Sequence, residues 1–339
     1  MNTKNVAIKH ISYVEGPNVL TSKEICERIK NVLSVIGAGD DFIEHITGIY
    51  ERRCWNEKLY ISDIATLSVK KLLEEYDIDK NEIGCLVNCS VGLDFGEPTV
   101  SIVVHNNLTM PNSCFTFDIA NACIGFTNAI EIVSNMIKLG QIKYGIVFAG
   151  ENSKNIIDLT IESINKPDCD FDRFQRSFAA LTLGSGSVAM LLGPAEENDH
   201  IIDKTLLTTD SRFWHHCKGS LGRTSLDVDA SNMLKSGVDI LKYIEQRTLT
   251  DFPQFNDDNI DIYIPHQVSN RHNQVLCDTT FVNINKLYVT FPYLGNIGPA
   301  SWPISLYLAV KEGKIKKGDY VGICSMGSGF NCGVTGIKW

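Results

Sequence analysis

The sequence predicts an α/β fold assembled from two copies of one unit, and three observations carry that expectation. The segment Ile137-Lys138-Leu139-Gly140-Gln141-Ile142-Lys143 returns as Val310-Lys311-Glu312-Gly313-Lys314-Ile315-Lys316, an offset of 173 residues measured from Gly140 to Gly313. Each copy follows an apolar stretch of helical length and precedes an apolar run, so each reads as helix, glycine stop, short turn and buried strand. Further upstream, Asn81-Glu82-Ile83-Gly84-Cys85-Leu86-Val87-Asn88-Cys89 resembles Asp258-Asn259-Ile260-Asp261-Ile262-Tyr263-Ile264-Pro265-His266 at an offset of 177, an acidic turn leading into a strand each time. Strands that alternate with helices of this length imply mainly parallel sheets covered by helices. The two halves meet near residue 180, which divides the chain into 1–180 and 181–339.

Each element has a local reason. Val6-Ala7-Ile8-Lys9 opens the chain as a strand. A helix is predicted over roughly 21–36, with Thr21 or Ser22 as its cap, and a second runs from a Ser62 or Asp63 cap through Ala65, Leu67, Val69 and Leu72-Leu73 to about Tyr76. The strand Phe115-Thr116-Phe117 ends in small residues, after which a long apolar helix runs from about 123 to Leu139. Around the midpoint, Leu181-Thr182-Leu183-Gly184-Ser185-Gly186-Ser187-Val188 is a glycine turn feeding another strand. Ile262-Tyr263-Ile264 and the run ending at Trp339 supply strands of the second half.

Composition narrows the function. The chain has 339 residues, 44% of them hydrophobic and 21% charged, which is enough apolar material for a core and excludes a disordered chain. A formal charge of −9 argues against nucleic acid, whose binders carry a clustered basic surface. No run approaches the roughly 18 apolar residues of a membrane span, and no apolar signal-peptide core follows the N-terminus. The eleven cysteines are odd in number and none pair as C-x-x-C, so neither a zinc ribbon nor a disulfide scaffold is expected. They read as reduced, buried side chains of a cytoplasmic protein, and no metal site is expected.

Cys123 stands apart from the other ten. In Asp118-Ile119-Ala120-Asn121-Ala122-Cys123-Ile124-Gly125-Phe126 it occupies a strand-to-helix junction. A helix N-terminus there offers unpaired N–H groups and partial positive charge, which favour a thiolate. His266 follows a buried strand, and strand ends are where α/β proteins place functional groups. His272 is a candidate support for it, while His215 and His216 lie in a polar stretch with Trp214 that reads as surface loop. Asn296, in Gly295-Asn296-Ile297-Gly298-Pro299, would be an ordinary turn residue but for the repeat. The offset of 173 maps Cys123 onto Asn296, and the offset of 177 maps Cys89 onto His266. Pseudo-twofold copies would bring these strand ends into one crevice, giving a nucleophile, a base and a hydrogen-bond donor. Met326-Gly327-Ser328-Gly329-Phe330 ends the last buried strand, where backbone N–H groups could reach an oxyanion. Glu97, in Gly96-Glu97-Pro98, reads locally as a solvated loop carboxylate.

Together these residues resemble the thiolase superfamily, and within it the β-ketoacyl-ACP synthase III type, over nearly the whole chain. Thr47-Gly48-Ile49-Tyr50-Glu51-Arg52-Arg53 looks like the family's TGI-x-x-R-R segment, and Asn121-Ala122-Cys123-Ile124-Gly125-Phe126 looks like its nucleophile motif. Pro265-His266-Gln267, Gly295-Asn296 and Gly327-Ser328-Gly329-Phe330 look like its remaining signatures. Asn296-Ile297-Gly298-Pro299-Ala300-Ser301 and His266-Gln267-Val268-Ser269 are closer to the OleA-type long-chain acyl-CoA condensing enzymes, and to the pyrone- and resorcinol-forming ketosynthases, than to the synthase that starts fatty-acid synthesis.

The resemblance implies a five-layered αβαβα thiolase fold and a homodimer. It implies Claisen condensation through an acyl-Cys123 intermediate, with His266 and Asn296 holding the second thioester's oxygen and N–H groups of Cys123 and Ser328 holding the oxyanion. Glu97, reaching the partner's active site, would be the base of a non-decarboxylative reaction. Acyl-CoA or acyl-ACP thioesters are the implied substrates, with no further cofactor. Two alternatives stay open. One is decarboxylative condensation with malonyl-ACP, for which Arg52, Arg53, Lys314, Lys316 and Lys317 could form a local basic patch. The other is a non-catalytic subunit of a heterodimeric synthase, against which the retention of Cys123, His266, Asn296 and Glu97 argues.

Overall fold

A computed structural model describes residues 5–56, 58–220 and 224–339. The first half contains β1 (Val6–Glu15), β2 (Asn18–Thr21), α1 (Ser22–Arg28), α2 (Lys30–Val35), α3 (Phe42–Thr47) and β3 (Glu51–Cys54). It continues through α4 (Ile61–Glu75), β4 (Ile83–Asn88), α5 (Val100–Asn107), β5 (Phe115–Asp118), α6 (Gly125–Lys138), β6 (Tyr144–Glu151), α7 (Lys154–Ile164), α8 (Phe171–Ser177) and β7 (Gly186–Pro194). The second half comprises β8 (His200–Thr209), the short β9 (Cys217–Gly219) and β10 (Leu226–Val228), α9 (Ala230–Asp251), β11 (Ile262–Pro265) and α10 (Asn270–Thr279). It ends with α11 (Phe291–Leu294), α12 (Ser301–Lys311), β12 (Tyr320–Gly327) and β13 (Asn331–Lys338).

Nine strands form one sheet in the order β11-β12-β13-β8-β1-β7-β6-β4-β5. Its two wings repeat each other. In the first, Cys89 N donates to Phe148 O at 2.8 Å; in the second, His266 N donates to Cys324 O at 2.8 Å. The parallel pairing of β4 with β5 is echoed by a single parallel bridge between Tyr263 and Leu287. Helix ends repeat as well. Gly140 and Gly313 both have left-handed φ, +71° and +68°. Gly140 N donates to Ile137 O and Gln141 N to Met136 O, just as Gly313 N donates to Val310 O and Lys314 N to Ala309 O. Each closes its helix with the paired hydrogen bonds that only a residue tolerating positive φ supports cheaply.

The sheet is mixed rather than mainly parallel. Parallel pairing is confined to β5-β4-β6 and β11-β12. β12 and β13 are joined by a tight turn, and β1, β7, β8 and β13 pair antiparallel. A turn that short leaves no room for the crossover that parallel neighbours require. β7 follows residue 180 yet bonds to β6 and β1, so the first wing runs on to Pro194.

Packing produces five layers. α6 and α12 lie between the wings, in a cluster that unites Val87, Val147 and Val188 of one wing with Val321 and Ile323 of the other. Within that layer Phe126 meets Trp302 edge-on, ring centroids 5.5 Å apart. α4 and α5 cover the first wing's outer face, and α9 and α10 the second's. α6 buries Phe126, Ala129, Ile130, Val133 and Ile137, the three-four spacing of one helical face.

Of the two predicted caps, Thr21 holds and the one for α4 is revised. Thr21 caps α1 in a reciprocal pair with Glu24 (3.1 Å from Glu24 N, with Thr21 N donating to Glu24 Oε2 at 2.7 Å). The predicted helix over 21–36 breaks at Ile29, whose φ of −116° leaves the helical region while its side chain stays buried beside Ile25 and Leu33. α4 starts at Ile61, ahead of Ser62 and Asp63. Its first N–H groups, of Ile61 and Ser62, donate to Asp94, a carboxylate from a distant loop.

Arg52 is fully buried, donating to Ser22 Oγ at 3.0 Å and Leu181 O at 2.8 Å. Burial lowers its pKa to about 10. It is therefore no part of a basic docking patch, and Arg53 is paired with Glu15 at 3.2 Å. Arg52→Ala would strand the Leu181 carbonyl and open a cavity, so a loss of about 3 kcal/mol in urea unfolding is expected.

Candidate active site

The site starts from a strained turn. β5 ends at Asp118, and the chain enters α6 through a 3-10 turn, Ala122–Ile124. Ala122 has φ +46°, which a side-chain-bearing residue adopts at a cost of about 1–2 kcal/mol. Asn121 holds this elbow, donating to Asn128 Oδ1 at 2.7 Å and accepting from Asn331 Nδ2 at 3.1 Å. Cys123 is thereby presented half-buried just ahead of α6, among the residues that line a cavity.

Glycines permit the crowding around it. A Cβ on Gly125 would lie 3.2 Å from Ile119 O, and one on Gly327 would lie 3.1 Å from Ile124 N. The end of β12 thus presses against the main chain just after the cysteine. Gly327 and Ser328 line the cavity, whereas Gly329 is not among its lining residues.

His266 and Asn296 arrive from the second half on the same cavity. His266 is 8% exposed. Its neighbour Gln267, wholly buried, donates to Pro265 O and accepts from Thr290 N at 2.7 Å and Phe291 N at 3.1 Å, tying the strand end to the segment before Asn296. Asn296 is fixed through its main chain, donating to Thr182 O at 2.9 Å and accepting from Gly184 N at 2.8 Å. Its Oδ1 accepts from Gly298 N at 2.9 Å, which leaves the Nδ2 amide as a donor toward the cavity. Cys123, His266 and Asn296 therefore line one cavity.

The cavity has a volume of about 560 Å³, within the range of small-molecule sites. Much of its wall is apolar, including Leu183, Leu226, Met233, Leu234, Val268 and Val275. His272 also lines it, its ring 6.0 Å from that of His266. Burial lowers the pKa of His266 to about 3 and of His272 to about 4, so both are neutral at ordinary pH. Neutral imidazole keeps one N–H donor and one acceptor.

This has a consequence for stability. Between the ordinary value of 6.5 and about 3, the unfolded chain binds protons at these two histidines that the folded chain does not. Stability is therefore greatest above pH 6.5 and falls as pH drops toward 3. A melting temperature that declines from pH 7 to pH 5, with a shallower decline in His272→Asn, is the expected result.

Glu97 lies elsewhere. It sits on the exposed loop after β4 and does not line its own chain's cavity. Two residues that sequence reasoning left aside do line it. Cys217 shares the cavity with Cys123, its thiol pushed up by burial against an opposing hydrogen bond from Ser328. Glu151, at the end of β6, is only 9% exposed and accepts from Val91 N and from Gly92 N. The repeat was the available signal for Glu151, since it ends β6 in the first copy as Gly327 ends β12 in the second.

Most of the other cysteines are buried, and all eleven are thiols. Cys85 and Cys332 are pushed up to about 12 by burial, and Cys114 and Cys277 to about 11. No helix among the described residues is long and apolar enough to cross a membrane.

Residues 117–211 match the family described as 3-oxoacyl-[acyl-carrier-protein] synthase III, and residues 251–339 match its C-terminal region. An acyl-CoA:acyl-CoA alkyltransferase of Xanthomonas campestris is 33% identical, with 99% of each chain covered. That of Shewanella oneidensis is 30% identical over the full length of both. A β-ketoacyl-[acyl-carrier-protein] synthase III of Ehrlichia canis is 27% identical over 89% of this chain and 92% of its own. Among solved structures, Xanthomonas campestris OleA in a Cys→Ser form with lauric acid and lauroyl-CoA superposes with a TM-score of 0.93 at 31% identity, covering 99% of this chain and 100% of its own. Its cerulenin-bound form gives a TM-score of 0.93 at 31% identity, covering 99% and 98%.

Proposed function

Because the chain belongs to the OleA-type acyl-CoA:acyl-CoA alkyltransferases of the 3-oxoacyl-[acyl-carrier-protein] synthase III family, a group of Claisen-condensing acyltransferases with the thiolase fold, we propose that it joins two acyl-CoA molecules without decarboxylation. The observation that carries this reading is the convergence of Cys123, His266 and Asn296 on one largely apolar cavity.

In this mechanism the Cys123 thiolate attacks the carbonyl of a first acyl-CoA. The C–S bond to CoA breaks, and CoA leaves as the thiolate, taking up the proton that the Cys123 thiol gave up on ionising. N–H groups of Cys123 and Ser328 hold the tetrahedral oxyanion. A second acyl-CoA then places its thioester oxygen against His266 and the Nδ2 amide of Asn296. These donors stabilise the enolate that forms when Glu97 of a partner subunit removes a proton from Cα. The enolate carbon attacks the acyl-Cys123 carbonyl, the bond to sulfur breaks, and a β-ketoacyl-CoA results. The protein works as a cytoplasmic homodimer and needs no cofactor beyond the CoA its substrates carry.

A malonyl thioester would form its enolate by losing CO₂ and would have no use for Glu97. The test is incubation with acyl-CoAs of several lengths, without malonyl thioesters, followed by product identification. A β-ketoacyl product, or the ketone left when it hydrolyses and loses CO₂, is expected. Condensation only when malonyl-CoA or malonyl-ACP is added would replace this reading with the decarboxylative one.

A further inference from the structure

We propose that Glu151 is a positioning residue that sets the reach of Glu97 into the neighbouring subunit's site, an inference that rests on the reading of Glu97 as a base acting across a dimer. The loop between β4 and α5 is anchored at both ends of a short excursion. On the far side, Val100 N and Ser101 N donate to Asp118, each at 3.0 Å. On the near side, Asp94 caps α4, and Gly150 N donates to Ser90 Oγ at 2.9 Å. Between those points, both oxygens of Glu151 are used by the loop, Oε1 accepting from Val91 N and Oε2 from Gly92 N at 3.1 Å. Glu97 therefore sits at the middle of residues 95–99, the stretch left between the Asp94 and Asp118 anchors.

Glu151, like Asp94, lines the reaction cavity. Its Oε1 lies 4.0 Å from where a Cβ on Gly298 would sit, beside the turn that carries Asn296. Val91 and Gly92 line the same cavity. One carboxylate thus holds the start of the Glu97 loop while lying beside the Asn296 turn of its own chain. The bonds to Val91 and Gly92 go to main-chain N–H groups, which only donate, so both of its oxygens must accept there. Glutamine offers one acceptor oxygen and turns an NH₂ donor toward the other N–H. The loop must then shift, and a displacement of about 1 Å at a reacting group costs on the order of 10² in rate.

The test uses mixed dimers purified with two affinity tags. A Cys123→Ala chain supplies Glu97 but has no nucleophile, and a Glu97→Ala chain has the nucleophile but no base. Their mixed dimer is expected to condense acyl-CoA at one site. If it does not, the trans-acting role of Glu97 fails, and the present inference falls with it. If it does, Glu151→Gln is added to one chain at a time. The loss, about a hundredfold, is expected to follow the Cys123→Ala chain that donates Glu97. An equal or larger loss when Glu151→Gln is on the Glu97→Ala chain overturns the proposal, as does no loss on the donor chain. Intact-mass acylation of Cys123 in the Glu151→Gln single variant reports folding. If that variant does not fold, Glu151→Asp, which keeps the charge but shortens the reach, is read in the same way.

Discussion

Cys123→Ala is expected to abolish covalent acylation, read as the absence of an acyl mass increment on the intact protein after exposure to acyl-CoA, and condensation should disappear with it. The expectation separates Cys123 from ten other thiols on physical grounds. Most of them are buried in apolar surroundings, where the charged thiolate is disfavoured. Cys123 instead follows the left-handed Ala122 at the start of α6, open to a cavity that also holds His266 and Asn296. Cys217 is the informative control because it lines the same cavity. Acylation that survives Cys123→Ala and vanishes in a Cys217→Ala background would transfer the nucleophile's role to Cys217.

Glu97→Ala is expected to leave acylation of Cys123 intact while lowering condensation by about 10²–10⁴, the usual contribution of a general base. The two half-reactions are read by intact mass and by product formation. Normal condensation by this variant would remove the base from the mechanism and favour a malonyl substrate. Loss of acylation would mean that Glu97 serves the first half-reaction instead. Its position outside its own chain's cavity fits the proposed reach into a partner's site.

Much of this architecture was legible in the chain because the repeat is a physical constraint as well as a pattern. Gly140 and Gly313 stop equivalent helices with equivalent hydrogen bonds. The N–H groups of Cys89 and His266 donate equivalent strand-end bonds to Phe148 O and Cys324 O. The offset of 177 therefore located His266 opposite Cys89 before any contact was known, whereas Ala122 and Gly298, both of positive φ at the start of equivalent 3-10 turns, align Cys123 with Pro299 rather than with Asn296. Glu97 was legible only through family resemblance, because a loop carboxylate beside a proline has no local feature that separates it from a solvated surface group.

Sequence by itself determined the two-unit α/β plan and the helix stops, since each follows from periodicity, a glycine's conformational freedom or a fixed spacing along one chain. The direction of the strand pairs at the sheet's centre was decided by tertiary structure. So were the burial of Arg52 against Leu181, the capping of α4 by Asp94 and the hold of Glu151 on Val91 and Gly92. Those are hydrogen bonds between groups far apart in the chain. A charged side chain carries no local mark of which distant N–H or carbonyl will meet it, and folding alone brings the partners within reach.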